Sequence, residues 1–427
     1  MGAPLKGQRA KRELIEHLEE LAELADTAGA TVVGELTQSL DRPNPATYLG
    51  KGKLDDLRAE AERNEATLII FDDELSPAQA RNVEEVIGVR VMDRAELILD
   101  IFATRAHTSE AKMQVELAQL QYMLPRLTRM WTHLEKFRGG IGMRGPGETQ
   151  LETDRRLIAH RIRVLGERLS SVQKARTVQR QTRSGSFRAA LVGYTNAGKS
   201  SILRALASAD EVFVEDRLFA TLDPLTREVD LGDGQSVLVT DTVGFIRKLP
   251  HHLVASFRAT LEEVGEADLL LHVIDLSHPG WQDRNEVVEH VLADLDVGEV
   301  PILHVFNKVD RVDHSELIAL EERIQRTRPN SVFVSAVSAD GLEPLRRALL
   351  VARRRLRPTT VLRLPLGDGK LLAELHRSGE VISQHSEGDD WIVTARLDEA
   401  MLGRMRNSHM IVAGDQALPE STGPSDG

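Results

Sequence analysis

The sequence predicts an α/β protein whose main domain is doubly wound. A small α/β domain and an antiparallel helical hairpin precede it, and a small α/β module follows it. Three observations carry this prediction. Short apolar runs alternate with helix-patterned stretches over residues 1–111 and again over residues 186–358. Two heptad-patterned stretches lie between these regions, in residues 112–185. Another alternating stretch covers residues 359–414, and the polar residues 415–427 are expected to be disordered.

Composition limits the class of protein. The chain has 427 residues, 41% of them hydrophobic, which suits about three domains. The absence of cysteine excludes disulfides, thiolate metal sites and cysteine nucleophiles. No apolar run reaches about 18 residues, and the charged N-terminal stretch lacks the apolar core of a signal peptide. We therefore expect a protein without a transmembrane segment. A cytoplasmic location and a monomeric state are further expectations.

Residues 1–111 are predicted to form a small domain with a partly parallel sheet. The spacing of apolar residues in Glu13–Ala25 predicts an amphipathic helix. Three apolar runs predict strands, at Thr31–Leu36, Leu68–Phe71 and Val89–Met92. Helix-patterned stretches lie between them, at Lys53–Glu65 and Ser76–Val86.

Residues 112–185 are predicted to form the hairpin. Apolar residues recur at heptad spacing from Met113 to Leu134 and again from Leu151 to Val172. Two helices of about 25 residues would make an arm roughly 35–40 Å long. Pro125 is expected to bend the first helix. The alternative is an ordinary buried helix pair, which would not need the long glycine-rich loop RGGIGMRGPGETQ of residues 138–150.

Charge is distributed unevenly along the chain. The net charge of −12 argues against nucleic acid as a partner of the chain as a whole. Lys112 to Arg183, however, holds 15 Lys and Arg against 6 Asp and Glu, a net charge of +9, so the rest carries −21. A strongly basic segment on an acidic protein is a local electrostatic feature that needs a reason.

The doubly wound domain contains a phosphate-binding motif. An apolar strand at Ala189–Val192 leads into Gly193-x4-Gly198-Lys199-Ser200, and a helix follows. In such a P-loop the backbone N–H groups wrap the phosphates, the lysine reaches the β and γ oxygens, and the serine hydroxyl suits Mg²⁺. The predicted phosphate-binding residues are Gly193, Tyr194, Thr195, Asn196, Ala197, Gly198, Lys199, Ser200 and Ser201.

Two further stretches predict the switch regions of a P-loop GTPase. The strand Ser236–Thr240 ends at an aspartate suited to hold Mg²⁺ through water, and the following glycine N–H can sense a γ-phosphate. Predicted switch II is Asp241, Thr242, Val243, Gly244 and Phe245. Predicted switch I is Phe219, Ala220 and Thr221, with Thr221 favoured over Thr226 as the Mg²⁺ ligand.

Base recognition is predicted from two later motifs. Asn307, Lys308 and Asp310 follow an apolar strand, and the Asp310 carboxylate can accept from both N1–H and the 2-amino group of guanine. Adenine offers neither donor, so GTP should be preferred over ATP. Ser335 and Ala336 are placed to back the guanine O6. A P-loop ATPase or kinase is the alternative, and the Asn-Lys-x-Asp set argues against it.

One departure bears on mechanism. In Ras-like GTPases a glutamine after Asp-x-x-Gly orients the attacking water, whereas here the residue is Phe245. We therefore expect slow hydrolysis by the isolated protein. Asn196 matches the position of the asparagine that binds K⁺ in some potassium-activated GTPases, so K⁺ is a candidate cofactor beside GTP, GDP and Mg²⁺.

With these motifs, the chain resembles the HflX family, translation-factor-class GTPases of the Obg–HflX group. RGPGETQLETDRR, residues 144–156, is the most specific piece. GYTNAGKSS, LFATLDPLTR, DTVGFI and the stretch MDRAELILDIFATRAHTSEAKMQVELAQLQYMLPRL also read as that family's forms. A hydrophobic residue in place of the catalytic glutamine is likewise a family trait.

The resemblance implies binding to the large ribosomal subunit, ribosome-stimulated GTPase activity, and splitting of stalled or idle ribosomes under stress. It places the glycine-rich loop at the tip of an arm, where Arg138 and Arg144 would contact ribosomal RNA phosphates. The alternative is a GTP-gated assembly or quality-control factor on the large subunit that does not split ribosomes.

Overall fold

The computed structural model describes residues 1–2, 11–127, 146–181, 187–207, 218–232, 235–249, 264–295, 297, 300–355, 359–397, 399–407 and 411–414. The predicted RNA-contacting residues Arg138 and Arg144 lie outside these ranges, as does the tail of residues 415–427. Within them, no helix combines the length and the apolar character that crossing a membrane requires.

The N-terminal domain has a two-stranded parallel sheet covered by helices. A capping box between Ser76 and Gln79 begins the third helix, and Gly88 ends it in the left-handed conformation. The predicted strand at residues 31–36 is wrong: that segment has no strand, and Val32 and Val33 are 45% and 53% exposed. The elements are α1 (Lys11–Thr27), α2 (Lys51–Arg63), β1 (Leu68–Phe71), α3 (Pro77–Ile87), β2 (Arg90–Asp93) and α4 (Arg94–Arg105).

Two packed helices follow where the hairpin is predicted. They are α5 (Ser109–Met123) and α6 (Pro146–Gln181). Helix α5 ends before Pro125, which lies in a 3-10 turn, Leu124–Arg126. Helix α6 has 36 residues and begins at Pro146, inside the predicted loop 138–150. Proline suits a first helical position because its missing N–H would have no partner there. Helix α6 is therefore about 54 Å long at 1.5 Å per residue.

Helix α5 packs on two sides. Its most deeply buried apolar residues, Ala111, Val115 and Ala118, join the core of the N-terminal domain. The predicted heptad residues, Met113 and Leu117 among them, are half-buried. The heptad pattern thus marks a second contact face, and the deepest burial lies one or two positions away from it.

The central domain contains a six-stranded sheet of order β4-β5-β3-β6-β7-β8, parallel except for β4. This confirms the doubly wound prediction. The central strands β3 and β6 are buried along nearly their whole length, as expected of strands covered on both faces. The elements are β3 (Arg188–Gly193), α7 (Lys199–Ala207), β4 (Leu225–Gly232), β5 (Gln235–Asp241), β6 (Leu269–Asp275), α8 (Trp281–Asp294), β7 (Ile302–Asn307), α9 (His314–Thr327), β8 (Ser331–Phe333) and α10 (Glu343–Arg355).

The C-terminal module has βαββαβ connectivity and a four-stranded antiparallel sheet of order β10-β11-β9-β12. Its core joins residues such as Leu362, Val393 and Met401, all fully buried. The elements are β9 (Thr359–Pro365), α11 (Gly369–Ser378), β10 (Glu380–Glu387), β11 (Asp390–Arg396), α12 (Glu399–Asn407) and β12 (Ile411–Gly414).

One hydrophobic core joins the first three parts of the chain. It contains Ile98 and Phe102 of α4, Val115 of α5, and Val192 and Ile246 of the central domain. The N-terminal domain and the base of α5 are thus packed directly against the part of the central domain that holds the predicted nucleotide site.

Candidate nucleotide site

The predicted phosphate loop begins at the end of β3. This strand lies between β5 and β6, where the strand order changes direction in the sheet. Open α/β sheets bind ligands at this switch point. Gly193 has φ +150°, and a Cβ there would lie 2.3 Å from the Val273 carbonyl oxygen. Gly198 has φ +96°, and its Cβ would lie 2.3 Å from Asn307 Nδ2. Both positions therefore require glycine.

Lys199 opens α7 with its side chain turned back into the loop. It is buried, and Nζ donates to the carbonyl oxygens of Gly193 at 3.2 Å and Tyr194 at 2.9 Å. Burial lowers the pKa of Lys199 to about 8, although the negative charge of Asp241 acts to raise it. An anion beside Nζ would favour the charged form, so this lysine suits a phosphate ligand.

Three oxygen-bearing side chains from separate segments meet beside Lys199. Ser200 Oγ lies 2.8 Å from Thr221 Oγ1 and donates to Asp241 Oδ2 at 2.6 Å. Burial raises the pKa of Asp241, and its Oδ1 has no hydrogen-bond partner among the described residues. Hydroxyl and carboxylate oxygens are ligands that Mg²⁺ takes, so the donor set and the orphaned oxygen fit this ion.

The two threonines weighed for switch I lie in different places. Thr221 is beside Ser200, whereas Thr226 lies in β4 with its hydroxyl 2.8 Å from that of Thr240 on the neighbouring strand. The geometry therefore favours Thr221 over Thr226. Ala220, the residue before Thr221, lines the same small cavity as Lys199.

Switch II is joined to the phosphate loop through the backbone. Phe245 N–H donates to the Gly193 carbonyl at 3.0 Å, and Thr195 N–H donates to the Phe245 carbonyl at 2.7 Å. A Cβ on Gly244 would lie 2.8 Å from Thr195 Cα and 3.0 Å from Lys199 Nζ. The glycine thus lets the backbone of switch II approach the phosphate loop closely.

Other switch II side chains point into the fold. The Thr242 hydroxyl donates to the Leu191 carbonyl at 2.6 Å, and Val243 is buried. Phe245 is only 2% exposed and belongs to the core shared with the N-terminal domain. A buried hydrocarbon ring cannot orient water, so Phe245 cannot take the role that the glutamine has in Ras-like enzymes.

The end of β7 braces the phosphate loop from the other side. Asn307 Nδ2 donates to the Ala197 carbonyl at 2.9 Å, and its Oδ1 accepts from Ala336 N–H at 3.3 Å. Lys308, in the left-handed conformation, donates to the Asn196 carbonyl at 2.8 Å and pairs with Asp275 at the same distance. Asn307 therefore links both predicted base-binding motifs to the loop.

Asp310 is held in place by the second base motif. Ser335 Oγ donates to Asp310 Oδ1 at 2.6 Å and accepts from Ser338 N–H at 3.2 Å. Asp310 itself is exposed, as a carboxylate that receives a ligand should be. The structure thus brings together all the predicted phosphate, switch and base residues around one edge of the sheet.

Comparisons with known proteins identify the family of this chain. Residues 15–103 match a model of the GTP-binding GTPase N-terminal domain, residues 105–183 its middle region, and residues 188–308 a model described as "50S ribosome-binding GTPase". A GTPase HflX of Magnetococcus marinus is 46% identical over 396 residues, which cover 91% of this chain and 90% of that protein.

The chain belongs to the HflX GTPase family. A GTPase HflX of Escherichia coli K12 is 44% identical over 88% of both chains. A GTP-binding protein of the archaeon Sulfolobus solfataricus, solved with GDP, aligns over 83% of this chain and 99% of its own at 25% identity, with a TM-score of 0.45. Membership assigns GTP hydrolysis to this chain and places it in a family of ribosome-binding GTPases.

This HflX-family chain also has functional-site contacts that the sequence analysis missed. Tyr194, inside the phosphate loop, is buried, and its hydroxyl donates to Glu20 of α1 at 2.5 Å. The same hydroxyl accepts from Arg247 N–H, just after switch II, at 3.0 Å. Burial raises the pKa of the Tyr194 phenol well above its usual range, so it remains a donor. One hydroxyl thus joins the phosphate loop, switch II and the N-terminal domain.

A buried charge cluster surrounds this contact. Arg94 of α4 pairs with Glu20 and, at 2.8 Å, with Asp72, which also pairs with Lys248 after switch II. Burial alone would raise the pKa of Asp72, but a hydrogen bond from His17 and the charges of Lys248 and Arg94 lower it overall. Breaking such a buried pair is costly because it leaves an uncompensated charge. In the sequence, the signal that could have indicated this cluster is the aromatic residue Tyr194 within the phosphate loop.

The Tyr194→Phe variant tests this connection in the HflX-family fold. Loss of the hydroxyl leaves Glu20 and the Arg247 N–H each without one buried partner, so we expect the free energy of unfolding to fall by about 1–3 kcal/mol. Urea denaturation measures it. Tyr122→Phe is the matched control, since its hydroxyl donates to Asp93 within the N-terminal domain. Only Tyr194→Phe should also change nucleotide affinity, and unchanged stability and affinity would contradict the assignment.

Proposed function

We propose that the GTP-bound protein docks on the large ribosomal subunit through its basic hairpin and splits stalled or idle ribosomes during stress. GTP hydrolysis, stimulated by the ribosome, then releases it. It would work as a monomer in the cytoplasm, with Mg²⁺ held by Ser200, Thr221 and, through water, Asp241. Membership of a ribosome-binding GTPase family supports the choice of partner.

The observation that carries the proposal is the length and charge of α6. It has 36 residues, whereas its partner α5 has 15. Its sequence holds eight Arg and Lys against four Asp and Glu. Leu157 is 62% exposed on it. A long cationic helix suits a surface rich in phosphate, where each neutralised phosphate strengthens binding.

The division of labour within the site follows from the contacts described. Lys199 and the loop N–H groups would stabilise charge on the transferred phosphate, because they are fixed before the nucleotide arrives. Mg²⁺ would supply further charge neutralisation when bound. Asp310, oriented by Ser335, would select guanine. Because Phe245 is buried, the attacking water would have to be positioned by another group, which is consistent with activation by the ribosome.

The proposal is tested by light scattering of intact 70S ribosomes mixed with the protein and a non-hydrolysable GTP analogue. We expect scattering to fall with the analogue and not with GDP. A variant that lacks residues 138–145 should not lower the scattering. It is compared with the wild type at protein concentrations that give equal GTPase activity in the absence of ribosomes. Stable co-sedimentation with 70S ribosomes and no fall in scattering would instead indicate a GTP-gated binding factor that does not split them.

A further inference from the structure

Switch I contacts the N-terminal half of the chain as well as the GTPase domain. Leu218, Phe219 and Leu222, which flank Thr221, are all buried, at 4%, 2% and 2% exposure. They belong to the core cluster that also contains α4 and α5 of the N-terminal half. The segment that carries the proposed Mg²⁺ threonine is therefore packed in a core that the N-terminal half shares with the central domain.

On one side of Thr221 the anchor is aromatic. The Phe219 ring lies edge-on to Phe102 of α4, with ring centroids 4.7 Å apart. Phe219 also has φ +54°, a left-handed conformation that a bulky residue adopts at an energetic cost. Such a conformation persists only where surrounding contacts hold it, and here the Phe102 ring is such a contact.

On the other side the anchor is polar. Asp223 Oδ2 accepts from the N–H groups of His107 at 2.9 Å and Thr108 at 3.2 Å, and Oδ1 accepts from the Thr108 hydroxyl. The same hydroxyl accepts from Ala111 N–H at 3.1 Å and so caps α5. A single threonine thus connects switch I to the first turn of the hairpin's first helix.

We propose that the N-terminal half completes the hydrolytic site: Phe102 and Thr108 position Thr221 by holding Phe219 and Asp223 on either side of it. Both are positioning residues, since neither would touch the nucleotide. This inference rests on the proposed Mg²⁺ role of Thr221. It also implies that movement of the first hairpin helix alters switch I directly.

The test uses the full-length protein without ribosomes and compares Thr108→Val with Thr108→Ser. Valine keeps the shape of threonine and removes the hydroxyl, whereas serine keeps the hydroxyl. Displacement of a group by about 1 Å can slow an enzyme by up to about 10²-fold, so we expect Thr108→Val to lower kcat by on the order of 10-fold or more. Thr108→Ser should retain the wild-type kcat.

Nucleotide affinity provides a readout independent of turnover. Thr108→Val should weaken binding of a non-hydrolysable GTP analogue and raise the Mg²⁺ concentration that this binding needs. GDP affinity should stay within about twofold of wild type, because switch I threonines respond to the γ-phosphate. Phe102→Ala should act in the same direction, with Phe102→Leu closer to wild type. Asp294→Ala, an exposed carboxylate on α8, is the control and should change nothing.

Several outcomes would overturn the inference. One is wild-type kcat and analogue affinity in Thr108→Val, and another is equal loss in the valine and serine variants. A parallel loss of GDP affinity in Thr108→Val would indicate a structural role only. Thr221→Ala separates the two levels of the argument. If it hydrolyses GTP normally, the Mg²⁺ assignment has failed, and if it is impaired while Thr108→Val is not, the positioning role alone has failed.

Discussion

Replacing Lys199 by alanine is expected to lower kcat/KM for GTP by about 10²- to 10³-fold, the usual cost of removing one preorganised donor to a developing negative charge. The Lys199 side chain is buried, and its Nζ donates to two carbonyl oxygens of the loop. Among the described residues no other cation occupies this position, so none would replace the lost charge. Steady-state phosphate release measures the change.

The control for Lys199→Ala is Lys370→Ala, which removes an exposed lysine on α11 of the C-terminal module. It should leave turnover unchanged. Circular dichroism should show that both variants retain their helices. Normal GTP hydrolysis by Lys199→Ala would mean that the phosphate site has been assigned to the wrong residues.

Asp310→Asn is expected to change the preferred base from guanine to xanthine. The variant keeps one acceptor oxygen and gains a donor amide, so it can no longer accept from both N1–H and the 2-amino group of guanine, and GTP affinity should fall by about 10²-fold or more. Xanthine carries a carbonyl where guanine carries the 2-amino group, and an asparagine amide can donate to it. Xanthosine triphosphate should therefore become the better ligand. Competition binding against a fluorescent guanine nucleotide measures both affinities.

Asp313→Asn is the matched control for Asp310→Asn. Asp313 lies three positions further on, and its side chain accepts from Ser315 N–H at the start of α9. The same change of charge there should leave base preference intact. If Asp310→Asn still prefers GTP to the extent that wild type does, the guanine assignment is wrong.

The residues that the structure brings together could be predicted from the sequence because each motif is local. The phosphate loop, the switch aspartate and Asn-Lys-x-Asp are short stretches whose spacing already carries their chemistry. Strand-to-helix alternation then places them at one edge of a sheet. Tyr194 and Glu20, by contrast, are 174 positions apart, and no periodicity indicates that they meet. The contacts of Asp223 with Thr108 span 115 positions and were missed for the same reason.

The errors in the fold have physical causes too. The run at residues 31–36 has strand-like composition, but its valines are exposed, so β propensity had no packing to support it. Pro146 and its flanking glycines indicated a loop, although proline is favourable at a first helical position. Strand β12 pairs with β9 across some fifty residues, a non-local contact that local patterns do not reveal.

Helix α6 also has a mechanical consequence. It ends at Gln181, only a few residues before β3, the strand that delivers the phosphate loop. A continuous helix about 54 Å long resists bending, so a tilt of about 10° at this end would swing the far end by roughly 9 Å. A small tilt of α6 at its Gln181 end would thus be amplified, as by a lever, into a displacement of nearly a helix diameter at the remote end.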